Sequence, residues 1–218
     1  MKVIDFPQGS EEWAAARAGK VTASRIDDVL AKIKSGEAAS RRDYRAQLVA
    51  EILTGRPQED GFQNAEMLWG IEHEILARGA YQVARDADVE PVGFVLHPKI
   101  ERAGASPDGL AGQGLVEIKC PKTATHLQYL LAGEVPTKYQ PQMLWQMACA
   151  EAAWADFVSY DPRLSPELQL FVVRFLRDDK RIAEMEAEVV RFLAEVDEML
   201  ERLRSPRSLE ALLRGSLK

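Results

Sequence analysis

Apolar positions recur three and four apart through much of the chain, and this spacing predicts a helix-rich protein interrupted by short strands. Ser10 precedes EEWAAARAG, with acids in the first turn and Gly19 as a stop, which is the start and stop chemistry of a short helix. Ser24 is placed to cap a second helix, SRIDDVLAKI, after which SGEAAS reads as a loop. A third helix is expected from Asp43 to Thr54, ended by Gly55 and Pro57. A longer one is expected over 64–86, where Leu68, Ile71, Ile75 and Leu76 form the inward stripe with Glu74 close to it.

The period then changes. VGFVL at 92–96, the stretch around Ala103 and LVEIK at 115–119 read as short strands separated by turns. Helical patterns return at 123–132 and 139–150. Two further apolar runs, at 153–160 and 168–176, predict an antiparallel pair joined by DPRLSPE. From about 178 to 204 one long amphipathic helix carries Ile182, Met185, Val189, Phe192, Val196, Met199 and Leu203. That stripe is either an oligomer seam or, as is commoner, the face by which a helix lies on its own domain. Ser205 and Pro206 end it ahead of a short basic tail. Helices, strands, helices, strands and a final helix point to a mixed α/β (α+β) fold, with a central mixed β-sheet flanked by helices. A length of 218 residues is expected to form a single domain, 1–218, able to bury a sizeable core.

Composition narrows the class. With 46% apolar and 28% charged residues the chain reads as an ordinary soluble protein. No apolar run approaches the roughly 20 residues of a membrane helix, and MKVIDFPQGS lacks the apolar centre of a signal peptide, so a cytoplasmic location is expected. The two cysteines, Cys120 and Cys149, form no cluster, which argues against zinc ribbons, iron–sulfur sites and disulfide scaffolds. His73, His97 and His126 are scattered, and each is expected to be structural or at the surface. The net charge of −6 argues against coating nucleic acid over the whole surface. Residues 17–56 nevertheless carry nine Lys and Arg against five acids, which is either a solvated helical face or a local basic groove.

The candidate chemistry lies in GASPDGLAGQGLVEIKCP. On a strand, residues i and i+2 share a face, so LVEIK places Glu117 and Lys119 together and Val116, Ile118 and Cys120 opposite. SPDG is a turn signal, and GQG permits a tight return that brings Asp108 beside Glu117. Two carboxylates and a lysine at the end of a short strand suit a hard cation with oxygen ligands, and a lysine that orients an attacking water at phosphorus. P-D followed by E-x-K is therefore the pattern of a metal-dependent nuclease. Other chemistries fit less well. GASPDG has aspartate where a nucleophile elbow needs glycine, GQG opens no helix as a dinucleotide loop does, and a glycosidase has no need of the lysine.

Taken together these segments resemble the phage lambda exonuclease and YqaJ-type viral recombinase family, within the PD-(D/E)xK nucleases. QGSEEWAAARAGKVTAS, AEMLWGIEHE, ASPDGL with LVEIKCP, YQPQMLWQM and SYDP match its blocks in order. The resemblance implies a restriction-endonuclease-like core and a 5′-to-3′ exonuclease that degrades one strand of linear double-stranded DNA to mononucleotides. It implies Mg²⁺ as cofactor, two ions per active site with Mn²⁺ able to substitute. It further implies a homotrimer, a single-strand annealing protein as partner, and a role in phage-type recombination in a bacterial host cytoplasm. By position, Asp108, Glu117 and the backbone carbonyl of Ile118 would hold metal, and Lys119 would act on water. Glu74 and Gln142 would assist, with Gln140 and Gln146 as neighbouring alternatives to Gln142. Arg17 and Ser24 match positions that bind the terminal 5′ phosphate, and the basic excess over 17–56 would track backbone phosphates. The alternatives are a structure-selective or site-specific endonuclease on the same fold, and a non-catalytic DNA-end scaffold.

Overall fold

In a computed structural model of the chain, residues 1–58 and 65–205 are described. The elements run β1 (Lys2–Ile4), α1 (Glu11–Arg17), β2 (Val21–Thr22), α2 (Ile26–Leu30), α3 (Ala39–Thr54), α4 (Ala65–Arg85), β3 (Phe94–Leu96), β4 (Ala103–Ala105), β5 (Gly109–Ala111) and β6 (Gly114–Lys119). They continue with α5 (Thr123–Ala132), α6 (Gln140–Ala150), β7 (Trp154–Tyr160), β8 (Leu170–Leu176) and α7 (Asp179–Arg204). The mixed α/β architecture holds, but the described strands divide between two four-stranded sheets. One has the order β1-β3-β4-β2 and the other β5-β6-β7-β8.

The second sheet positions the chemistry. β5 and β6 form a hairpin closed at Gly112 and Gln113, with Gly112 at φ +58°, where a side chain would be strained. β6 then pairs in parallel with β7 through a crossover containing α5 and α6, and β7 pairs antiparallel with β8, as the two apolar runs required. Leu115, Ala155 and Phe157 bury one face of this sheet against α6, which contributes Met143, Leu144 and Met147. Val116, Ile118 and Val158 bury the other against Ala77 and Tyr81 of α4. A strand covered on both faces should be apolar throughout. Glu117 and Lys119 depart from this, and Glu117 is fully buried.

Several local expectations held for identifiable reasons. Ser10 accepts a hydrogen bond from the Trp13 N–H and caps α1, and Asp178 does the same for α7 through the Arg181 N–H. Gly55 ends α3 in the left-handed conformation. The stripe of α7 is filled by this chain's own core, with Val189, Phe192 and Val196 fully buried, so it lies on its own chain rather than forming an oligomer seam.

Others are corrected. Ser24 caps nothing: it sits inside a short 3₁₀ turn, Ala23–Arg25, and neither that turn nor α2 has a side-chain cap. α3 begins at Ala39, four residues before Asp43, with the uncapped Ala38 ahead of it. The stripe on α4 faces outward. Ile75 is 74% exposed and Leu68, Ile71 and Leu76 are exposed as well, while the buried contacts come from Ala77 and Tyr81. The expected basic tail lies outside the described residues.

Candidate active site

Glu117 is only 1% exposed, so its carboxylate must be matched by donors. α6 supplies two. Gln142 and Gln146, one turn apart, donate to its two oxygens at 2.6 and 2.5 Å. The Lys119 ammonium, two residues on along the same strand face, pairs with the oxygen that Gln142 also binds. Gln140 turns elsewhere, donating to the Val135 carbonyl and accepting from Arg181. Sequence reasoning that chose one glutamine missed that i and i+4 on a helix present the same face, so both reach the carboxylate.

Asp108 enters from the turn before β5. Its N–H donates to the Val116 carbonyl at 3.2 Å, and its Oδ2 accepts the Ile118 N–H at 2.6 Å. The glycine after it is required by space, since a Cβ on Gly109 would lie 2.2 Å from a Val89 methyl carbon. Asp108 and Glu117 are thus brought to one end of β6, with Ile118 between their attachment points. Burial pushes the Asp108 carboxyl well above its ordinary range, and the neighbouring charge of Glu117 pushes it further. Burial alone would lower the Lys119 ammonium, but Glu117 and Asp108 outweigh it and hold that ammonium above its ordinary value.

Glu74 arrives from α4. That helix is fastened to the sheet by Tyr81, whose hydroxyl donates at 2.9 Å to the buried Asp156 of β7, itself gripped by Arg174. Two turns earlier Glu74 pairs with Arg78 at 2.6 Å and faces the same cleft as Asp108. This cleft, of about 780 Å³, is also lined by Ile118, Lys119, Tyr129, Lys138, Tyr139 and Arg163. Cys120 lies on its wall. Burial pushes its thiol up to about 12, with Glu74 and Asp108 adding to the effect, so it remains a neutral thiol.

Arg17 and Ser24 are not in the cleft. Arg17 lines a narrow crevice with Lys20, Thr22, Tyr44 and Glu51, and its guanidinium lies 4.0 Å above the Trp13 ring. Ser24 joins this side only through Thr22, hydroxyl to hydroxyl at 3.3 Å. The region is nonetheless coupled to the carboxylates. Trp13 Nε1 donates to the Ser106 hydroxyl at 2.9 Å, and the Gln8 amide donates to the Val92 and Pro107 carbonyls at 2.9 and 2.8 Å. Both grips fall within two residues of Asp108, and the sequence carried no signal for either.

Part of the basic excess over 17–56 is spent internally. Arg41 and Arg45 pair with Glu195 of α7, Arg41 also with Glu188, and Arg25 with Asp28, so these three of the nine cations are already engaged. The histidines are structural, as expected. His126 bonds Ser159 and the Leu168 carbonyl, His97 is buried against Glu186, and His73 stacks on Trp69.

The donor set fits a hard divalent cation. Asp108 and Glu117 offer oxygen alone, and two carboxylates held together are relieved by positive charge between them. Among the described residues, no three or more His, Cys, Asp or Glu side chains group to hold a metal. A hard divalent cation held by one or two carboxylates keeps several waters.

A family model for the YqaJ-like viral recombinase domain matches residues 12–153. The structure of LHK-Exo in complex with dAMP is similar at 47% identity, covering 93% of this chain and all of that one, with a TM-score of 0.85. The alkaline exonuclease LHK-Exo from Laribacter hongkongensis matches at 46% identity over the same shares, with a TM-score of 0.83. A phage related exonuclease from Haemophilus somnus 129PT shares the fold at 16% identity and a TM-score of 0.66, over 84% of this chain and 96% of that one. Among curated proteins, none matches the sequence.

Proposed function

This chain belongs to the YqaJ-like viral recombinase family and is a nuclease of the PD-(D/E)xK fold; we propose that it is a Mg²⁺-dependent 5′-to-3′ exonuclease of linear double-stranded DNA. It releases mononucleotides and leaves 3′ single-stranded DNA for recombination by strand annealing. The observation that carries this reading is the meeting of Asp108, Glu117 and Lys119 at one end of β6, where Asp108 and Lys119 line a cleft of about 780 Å³.

In this reading Asp108, Glu117 and the Ile118 carbonyl hold the cation, as two ions or one, with Mn²⁺ able to replace Mg²⁺. When bound, such a cation activates water for attack on phosphorus and offsets the charge that builds there. Gln142 and Gln146 fix the Glu117 carboxylate so that it does not reorganise during turnover. Lys119 donates hydrogen bonds towards the attacking water and the non-bridging phosphate oxygens, and its raised pKa keeps it charged. Glu74 supplies a further oxygen from α4, on the opposite wall. Arg17 and Ser24 receive the terminal 5′ phosphate, Arg17 being held flat on Trp13.

The chain acts as one nuclease domain over 1–218. The exposed apolar residues of α4, including Ile71, Ile75 and Leu76, support assembly into a homotrimer, because a row of that kind is seldom left in water. A single-strand annealing protein would take the 3′ strand in the cytoplasm of a bacterial host of phage or prophage origin. Among the described residues no helix is long and apolar enough to cross a membrane.

The test is a time course on linear duplex labelled at each end, with Mg²⁺ and with chelator, beside a covalently closed circle. Mononucleotides should appear from the 5′ label first, only with Mg²⁺, and the circle should survive. Cutting of the circle would establish the endonuclease alternative, and end binding without any cutting would establish the scaffold.

A further inference from the structure

The cations of the cleft differ in what already holds them. Lys119 is engaged by Glu117, and Arg163 is engaged by Asp161 through its Nε at 2.7 Å and its Nη2 at 3.0 Å. Lys138 lines the same cleft and forms no ion pair with any described carboxylate. Its ammonium is nonetheless well placed. It lies 4.8 Å from the centre of the Tyr139 ring and 5.9 Å from that of Tyr129, so two aromatic faces hold it over the cleft wall.

That platform is rigid. Tyr139 stacks on Phe157 of β7 at 5.3 Å, and Tyr129 meets both Phe157 and Tyr139 edge-on at 5.6 and 6.5 Å. Tyr129 is 7% exposed, and its hydroxyl lies beside the Lys138 ammonium and the Tyr139 hydroxyl. Burial alone would lower the Lys138 ammonium. The Tyr129 and Tyr139 hydroxyls beside it outweigh that and hold it above its ordinary value, so it carries full charge at any working pH.

Tyr139 links this corner to the chemistry, because the Lys119 ammonium lies 5.3 Å from the centre of the same Tyr139 ring. The corner is therefore on the Lys119 side of the site, whereas Arg17 is tied through Trp13 and Ser106 to the Asp108 side. We propose that Lys138 binds the phosphodiester next to the scissile one, on the strand being cut, and that Tyr129 and Tyr139 are its positioning residues. The inference rests on the exonuclease reading above. It adds that the cut strand is gripped one nucleotide beyond the reacting phosphorus by a cation that pairs with no carboxylate among the described residues.

The experiment is single-turnover release of the 5′-terminal mononucleotide from a short duplex. The second linkage of the cut strand carries either an ordinary phosphodiester or an uncharged methylphosphonate. For the wild type, the methylphosphonate should slow release about tenfold, the order expected for one charged hydrogen bond. Lys138→Ala should be slowed by a similar factor on ordinary DNA and should lose little more on the methylphosphonate, with Lys138→Arg restoring most of the rate and the sensitivity. Tyr129→Phe keeps the ring and the fold, checked by an unchanged melting temperature. It should weaken the same linkage's contribution by a smaller factor, about threefold. If the methylphosphonate and the Lys138→Ala losses multiply, or if Lys138→Ala instead removes sensitivity at the terminal phosphate, the inference is overturned while the exonuclease reading stands. A wild type that leaves the unmodified duplex intact overturns both.

Discussion

Gln146 offers the sharpest test of the idea that α6 serves the chemistry rather than the fold. Its side chain is fully buried, it donates to Glu117 at 2.5 Å, and its own carbonyl oxygen is buried without a partner among the described residues. Gln146→Leu is nearly equal in volume and changes two terms of opposite sign. Loss of a hydrogen bond to a charged group costs about 2 kcal/mol, and removal of an unsatisfied buried carbonyl returns about 1–2 kcal/mol. The net change is within about 1 kcal/mol, which for a chain of this size moves the melting temperature by no more than roughly 4 °C. Function should respond differently. A carboxylate released from one of its fixing partners loses roughly 10–100-fold in metal affinity or turnover. Thermal unfolding and mononucleotide release across a Mg²⁺ titration therefore separate the two roles. Wild-type turnover in Gln146→Leu would refute the argument for catalytic positioning, and a fall of more than 10 °C would refute the claim that Gln146 contributes little net stability.

Three further outcomes are expected. Lys119→Ala should abolish hydrolysis, by at least about a hundredfold, while a binding assay with chelator still detects the duplex end. Arg17→Ala should lose activity selectively on 5′-phosphorylated ends, and equal loss on 5′-hydroxyl ends would count against a phosphate pocket. Arg163 holds the buried Asp161 and, although burial opposes it, lowers that carboxyl to about 2. A depressed carboxyl contributes stability that is present above its unfolded value of 3.8 and is lost as the pH falls through the folded value. Arg163→Gln should therefore be less stable than wild type at pH 7 by about 1 kcal/mol, a figure discounted because Arg163 is exposed. The gap should shrink to roughly half by pH 3 in urea titrations, and a gap independent of pH would exclude the ion pair as its source.

Much of the site was legible because its signals are local. Alternation along LVEIK placed Glu117 and Lys119 on one face, and SPDG with GQG returned Asp108 to them, since strand period and turn chemistry are properties of adjacent residues. The long stripe of α7 was legible for the same reason. What failed depended on partners far away in the chain. The α4 stripe announced an amphipathic helix correctly, but periodicity does not say which face the sheet will cover, and Ala77 and Tyr81 took that place. Arg41 and Arg45 looked available for DNA because Glu188 and Glu195 lie about 150 residues later. Ser24 had the chemistry of a cap, but the chain turned in 3₁₀ form around it and left its hydroxyl to Thr22.

The grip of Gln8 and Trp13 on the turn before Asp108 has a consequence during synthesis. The N-terminal segment can be fixed only after residues 92–107 have been made, and Glu117 obtains both glutamine donors only after Gln146. A ribosome-bound chain that has not yet released Gln146 therefore lacks a complete active site, however well its early helices have formed. Assembly from such widely separated parts is also slow, because loop closure must precede the contacts that reward it. A nuclease built this way has no complete active site until most of its length has emerged.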